Sequence, residues 1–138
     1  MKIIFLDVDG VLNHSGCPEW KQGDWRVIDD ACVERIRSVC TATGARIVLS
    51  STWRVDPEAV EIIRGCFGEL LVDVTPQSSY HARHKEIREW LDLHPEVTRF
   101  VVIDDDADAE VVGHPFVRTS FIEGLTESLA AVAWLALI

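Results

Sequence analysis

A chain of 138 residues is about one domain's worth, and a globule of that size buries roughly 68–70% of the surface its unfolded chain exposes, so no disulfide staples are needed. Hydrophobic residues at 48% and charged residues at 26% exclude a wholly disordered or collagen-like chain. With 13 Lys+Arg against 23 Asp+Glu the net charge is −10, which disfavours a broad nucleic-acid-binding face or a membrane-surface role and leaves open a local contact with one phosphate.

In chain order, short β-rich runs alternate with helical patterns. Lys2–Leu6 reads as a strand. Ile28–Thr43 reads as a helix, opened by Asp29 and Asp30, striped by Val33, Ile36, Val39 and Cys40, and stopped by Gly44. Arg46–Leu49 is a second strand; Pro57, after Asp56, begins a helix to about Arg64. Leu70–Val74 is a third strand, and His84–Leu93 a helix with Ile87, Trp90 and Leu91 together. Arg99–Ile103 and Phe116–Thr119 are the last strands, and Leu125–Leu137 is a closing amphipathic helix. Most strands are continuous apolar runs, as expected for strands covered on both faces. The alternation predicts an α/β fold of one domain over 1–138, a three-layer sandwich with a mostly parallel five-stranded Rossmann-like sheet.

No targeting signal is expected. The apolar opening is broken by Asp7 and Asp9, so it does not read as a secretory h-region. Leu129–Ile138 is about half the length of the roughly 20-residue stretch that spans a membrane. Cys17, Cys32, Cys40 and Cys66 show no CxxC spacing, which points to free thiols in a reducing cytoplasmic setting. The histidines show no ligand spacing either: His81 and His84 are three apart, with no third ligand evident.

In open α/β sheets the ligand site lies beyond the carboxyl ends of the strands. The residues there are Asp7-Val8-Asp9-Gly10, Ser50-Ser51-Thr52, Thr75 and Asp104-Asp105-Asp106. Carboxylates crowded at one sheet edge repel unless a divalent cation neutralises them, and hard oxygen donors favour Mg²⁺ over zinc.

Phe5-Leu6-Asp7-Val8-Asp9-Gly10-Val11-Leu12 resembles the first signature of the haloacid dehalogenase (HAD) superfamily phosphatases, hhhDxDGxL. Three further signatures have candidates in the right order. These are Ile47-Val48-Leu49-Ser50, then Lys85 near a helix start, then Val101-Val102-Ile103-Asp104-Asp105. The stretches FLDVDGVLN and LSSTWR look closest to HAD domains associated with RNA-repair proteins and phage polynucleotide phosphatases. The resemblance implies that Asp7 is a nucleophile forming an aspartyl-phosphate, and that Asp9 is the acid and then the base. It implies that Ser50 and Lys85 hold the phosphoryl group, and that Asp7, the Asp9 carbonyl, Asp104 and Asp105 bind Mg²⁺. Gly10 frees the turn that follows Asp7.

Alternatives stay open at several positions. Ser51 or Thr52 replaces Ser50 if the strand ends later, and Arg83 and Arg88 compete with Lys85. Asp106 and Asp108 read as helix-opening acids. The segments after motif one and between motifs two and three leave room for a flap at about 13–27 and no cap domain, so a large substrate, or a second subunit supplying a lid, would have to cover the site. Trp20 and Trp25, beside Lys21 and Arg26, either stack a nucleobase or pack the flap against the body. The leading expectation is a Mg²⁺-dependent phosphomonoesterase acting on a nucleotide or a nucleic-acid terminal phosphate. A phosphotransferase or mutase with the same motifs is the alternative enzyme. A receiver-like phospho-acceptor is the alternative of another class, disfavoured because the acidic pair follows the fourth strand.

Overall fold

The computed structural model describes residues 1–24, 26–78 and 82–138. Five strands form one all-parallel sheet: β1 (Lys2–Leu6), β2 (Arg46–Leu49), β3 (Leu71–Val74), β4 (Arg99–Asp104) and β5 (Phe116–Arg118). Their order is β3-β2-β1-β4-β5. The chain therefore works outward from β1 to β3 and then returns to the other side of β1. That reversal puts a crevice between the ends of β1 and β4.

The helices are α1 (Pro18–Lys21), α2 (Asp30–Thr43), α3 (Pro57–Phe67), α4 (Arg83–Asp92) and α5 (Glu127–Leu137). Period-two alternation along the strands sorts the core into two layers. Ile4, Leu6, Ile47, Leu49, Val101 and Ile103 pack against α2, α3 and α5. Ile3, Phe5, Val48 and Val102 pack against Ile87 and Trp90 of α4. Phe5 meets Trp90 edge-on at 5.5 Å, and the Trp90 indole N–H donates to Asp73 at 2.8 Å, so the ring is buried without stranding its donor.

Element types match the sequence reading, and the boundaries differ where local chemistry overrides the pattern. Asp29 caps α2 by accepting the Ala31 N–H, so the helix starts at Asp30 rather than Ile28. Gly44 ends it with φ +78°. Helix α3 runs on to Phe67 because Ile63 and Phe67 continue its buried stripe, and Leu70 closes a 3₁₀ turn before β3 instead of opening the strand. The flap holds the one-turn α1, which the sequence pattern did not reveal. No separate cap covers the sheet: β1 leads to α2 through the flap, and β2 leads to α4 through a 3₁₀ turn, α3 and β3. The four cysteines are unpaired, and no helix among the described residues is long and apolar enough to cross a membrane.

Candidate active site

Strands β1 and β4 run side by side in register, Leu6 opposite Ile103, so Asp7 and Asp104 emerge together at the crevice. Carboxylate oxygens of Asp7, Asp104 and Asp105 lie within 4.8 Å of one another. They line a cleft of about 480 Å³ together with Asp9, Thr52, Arg83 and Glu86. Asp7 is 9% exposed and Asp104 3%. Burial, reinforced by the facing Asp104 carboxylate, raises the Asp7 carboxyl well above the usual range. Burial likewise pushes Asp104 up to about 6, although its Oδ1 accepts the Asp106 N–H at 2.9 Å.

The turn after Asp7 is built around Gly10, which has φ +80°. A Cβ on Gly10 would overlap the Asp105 carboxylate, so both backbone conformation and close approach demand glycine. Thr119 donates its hydroxyl to the Gly10 carbonyl at 2.6 Å, anchoring the turn to the end of β5. Asp9 points its Oδ1 at two donors, the Trp53 indole at 3.1 Å and the Asn13 amide at 3.0 Å. Its side chain is outside the three-carboxylate cluster.

At the end of β2 the three hydroxyl candidates separate. Ser50 is fully buried and its Oγ has no partner among the described residues. Ser51 is buried too, but its Oγ caps the 3₁₀ turn Thr52–Val55 by accepting the Trp53 N–H at 3.1 Å. Neither serine lines the cleft, but the Ser51 hydroxyl is already taken as a cap, so the structure does not bring this expected substrate contact to the site. Thr52 is exposed and does line it.

Lys85 also stands apart from the group. It is exposed and lines no part of the cleft. Arg83 lines it instead, and its Nη1 is buried with no hydrogen-bond partner among the described residues. The reason is helical phase. Arg83, Glu86, Ile87 and Trp90 are spaced i, i+3, i+4 and i+7 and share the inward stripe of α4, whereas Lys85 lies two residues, or about 200°, round the helix from Arg83. Glu86 is buried and paired with Arg54 at 2.8 Å. Arg54 also donates to the carbonyls of Ser51 at 2.8 Å and Thr75 at 3.1 Å, so it ties the ends of β2 and β3 to α4.

Neither Trp20 nor Arg26 of the flap lines the cleft. Trp20 packs edge-on against Phe121 at 4.8 Å, on the loop after β5. Trp25 lies outside the described residues. Arg26 sits over the Trp53 ring, 5.5 Å from its centroid, and pairs with Asp56. Trp53, Asn13 and Arg54 are the site residues that the motifs do not single out, and Arg83 is the competitor of Lys85 that the cleft takes. A signal existed for Arg83 in the α4 stripe and for Asn13 in its place beside the DxDG turn. Nothing in the sequence announced that Trp53 reaches Asp9.

The family model for the HAD domain in Swiss Army Knife RNA repair proteins matches residues 3–130. The chain belongs to that family. The match covers all five strands and the whole crevice, and it makes this a capless HAD-type domain of the phosphatase class of hydrolases. No curated protein and no solved structure matches the chain.

Proposed function

We propose that this HAD domain is a Mg²⁺-dependent phosphomonoester hydrolase working through an aspartyl-phosphate, with a nucleotide or a phosphorylated nucleic-acid end as substrate. The observation that carries the reading is the cleft itself. The buried Asp7 and Asp104 carboxylates line it beside Arg83, whose Nη1 has no hydrogen-bond partner among the described residues, and the unpartnered Ser50 hydroxyl follows the end of β2, the strand paired with β1. Buried polar groups left unpaired are costly, and a tetrahedral phosphoryl group supplies acceptors for both donors.

The donor set fits a hard divalent cation. Three all-oxygen ligands stand within 4.8 Å, and two of them have carboxyls raised chiefly by burial. Asp7, Asp104 and Asp105 would hold it, with the Asp9 carbonyl as the further ligand implied by the family pattern. When bound, the ion offsets the negative charge of the carboxylates and of the phosphoryl group.

The protein's own residues account for the rest. An Asp7 carboxylate oxygen attacks phosphorus; the new O–P bond forms as the P–O bond to the leaving group breaks, and protonated Asp9 gives its proton to the departing oxygen. Water then attacks phosphorus, Asp9 takes the proton from it, and the Asp7–phosphorus bond breaks to release phosphate. Arg83, in place of Lys85, neutralises the phosphoryl oxygens, and Ser50 donates a hydrogen bond to one of them. The net charge of −10 favours a nucleotide or a short phosphorylated end over a long duplex.

A hydrolysis screen across nucleotides, sugar phosphates and 3′- or 5′-phosphorylated oligonucleotides tests the reading, with Asp7→Asn as control. Phosphate release that needs Mg²⁺ and disappears in a folded Asp7→Asn protein is the expected result. Turnover that survives Asp7→Asn would overturn it.

A further inference from the structure

We infer that Trp53 and Asn13 are positioning residues that clamp one oxygen of Asp9 and so fix which oxygen is left to face the reacting group. The inference rests on the phosphatase reading and extends it to residues outside the four signature motifs. The Trp53 indole N–H and the Asn13 amide N–H both donate to Asp9 Oδ1, at 3.1 Å and 3.0 Å. Two donors occupy both lone pairs of that oxygen. Oδ2 accepts from no described residue, so it is the oxygen left free to meet a leaving group or a water in the cleft.

Each donor is itself held. Trp53 is 7% exposed, its backbone N–H donates to the Ser51 hydroxyl, and its ring lies under Arg26. Asn13 is fully buried; its Oδ1 accepts the Gly10 N–H at 3.0 Å and its amide also donates to the Val27 carbonyl at 3.1 Å. The DxDG turn and the end of the flap therefore hold Asn13, and the 3₁₀ turn after β2 holds Trp53, so that both donors meet one carboxylate oxygen. A packing role alone would bury the indole ring without aiming its N–H at a residue of the cleft.

The test separates proton delivery from general damage. Trp53→Phe keeps an aromatic ring and removes the N–H. The value of kcat/KM covers steps through departure of the leaving group, so it is compared for an alkyl phosphate, whose alkoxide needs a proton, and for 2,4-dinitrophenyl phosphate, whose phenolate does not. The clamp predicts a loss of at least tenfold on the alkyl phosphate and less than twofold on the aryl phosphate. Asn13→Ala is expected to show the same split. Equal losses on both substrates, or none on either, would overturn the inference.

The hydrogen bond is also read without relying on either variant's fold. In Asp9→Ala the Trp53 indole proton resonance must move upfield relative to wild type; an unmoved resonance counts against the clamp. If the wild-type protein releases phosphate from neither substrate, the phosphatase reading itself fails. If wild type turns over and Asp7→Asn does not, yet no split appears, only the clamp fails.

Discussion

Asp7, Asp104 and Asp105 meet within 4.8 Å of one another, and so do His14, Asp29 and Cys32. Both clusters contain metal-ligating side chains, yet their electrostatics are opposite. Asp29 accepts from His14 Nε2 at 2.6 Å through one oxygen and from the Ala31 N–H at 2.9 Å through the other. Partial burial pushes its carboxyl up, but those hydrogen bonds outweigh it and the net shift is downward. His14 Nδ1 accepts the Gly16 N–H, so the ring proton sits on Nε2 and serves Asp29; Cys32 donates towards the Leu125 carbonyl. That cluster is a helix cap with its needs met internally. In the other cluster the Asp7 and Asp104 carboxyls are raised and, beside them, a serine hydroxyl and an arginine nitrogen have no hydrogen-bond partner among the described residues. Unmet demand, rather than ligand count, separates the place built for an outside charge from the place that holds the fold together.

The sharpest way to probe this contrast is to remove the cation that lines the cleft. Arg83→Ala should lower kcat/KM by about 10²–10³-fold, roughly 3–4 kcal/mol of lost charge stabilisation. Lys85→Ala should change it less than twofold, because that side chain faces away from the cleft. Steady-state assays of the two variants side by side decide the assignment; a larger loss at Lys85 would return the role to that residue.

A smaller effect concerns pH and metal. Asp104 rises from 3.8 to about 6 on folding, so the folded, metal-free protein holds this proton more tightly than the unfolded chain. The stability it contributes is complete below pH 4 and is lost as pH climbs through 6, on the order of 2–3 kcal/mol, with Asp7 shifting in the same direction. Denaturant unfolding in chelator should therefore show stability falling between pH 4 and 7, with a flatter profile in Asp104→Asn. Added Mg²⁺ should raise the melting temperature more at pH 7.5 than at pH 5, and Asp105→Ala should shrink that gain.

The smallest effect belongs to the satisfied cluster. Asp29→Ala removes the α2 cap and should cost about 1 kcal/mol of stability, read as a lower denaturant midpoint, while kcat stays within twofold. A Mg²⁺ requirement altered by that change would erase the distinction between the two clusters.

Much of the fold was legible because its signals are local. Apolar strand runs, the Asp29 and Gly44 caps and the Pro57 helix start each act within a few residues. The DxDG turn and the acidic pair after β4 were legible for the same reason: a strand end dictates where its next side chains go. Residue identity alone could not rank Ser50 against Ser51 and Thr52, since the choice depends on which hydroxyl a 3₁₀ turn consumes as its cap.

By itself, then, the sequence determined the alternation of elements, the parallel sheet and the edge that carries the carboxylates, because periodicity and strand ends are properties of the chain. Only the tertiary structure decided which cation enters the cleft and what holds Asp9. Arg83 displaces Lys85 because packing Ile87 and Trp90 onto the sheet sets the rotation of α4 about its axis. Trp53 meets Asp9 across 44 residues because β1 and β2 are paired in register, bringing the turns beyond them together. Such contacts depend on the meeting of separately folded segments, and no local pattern encodes the distance between them.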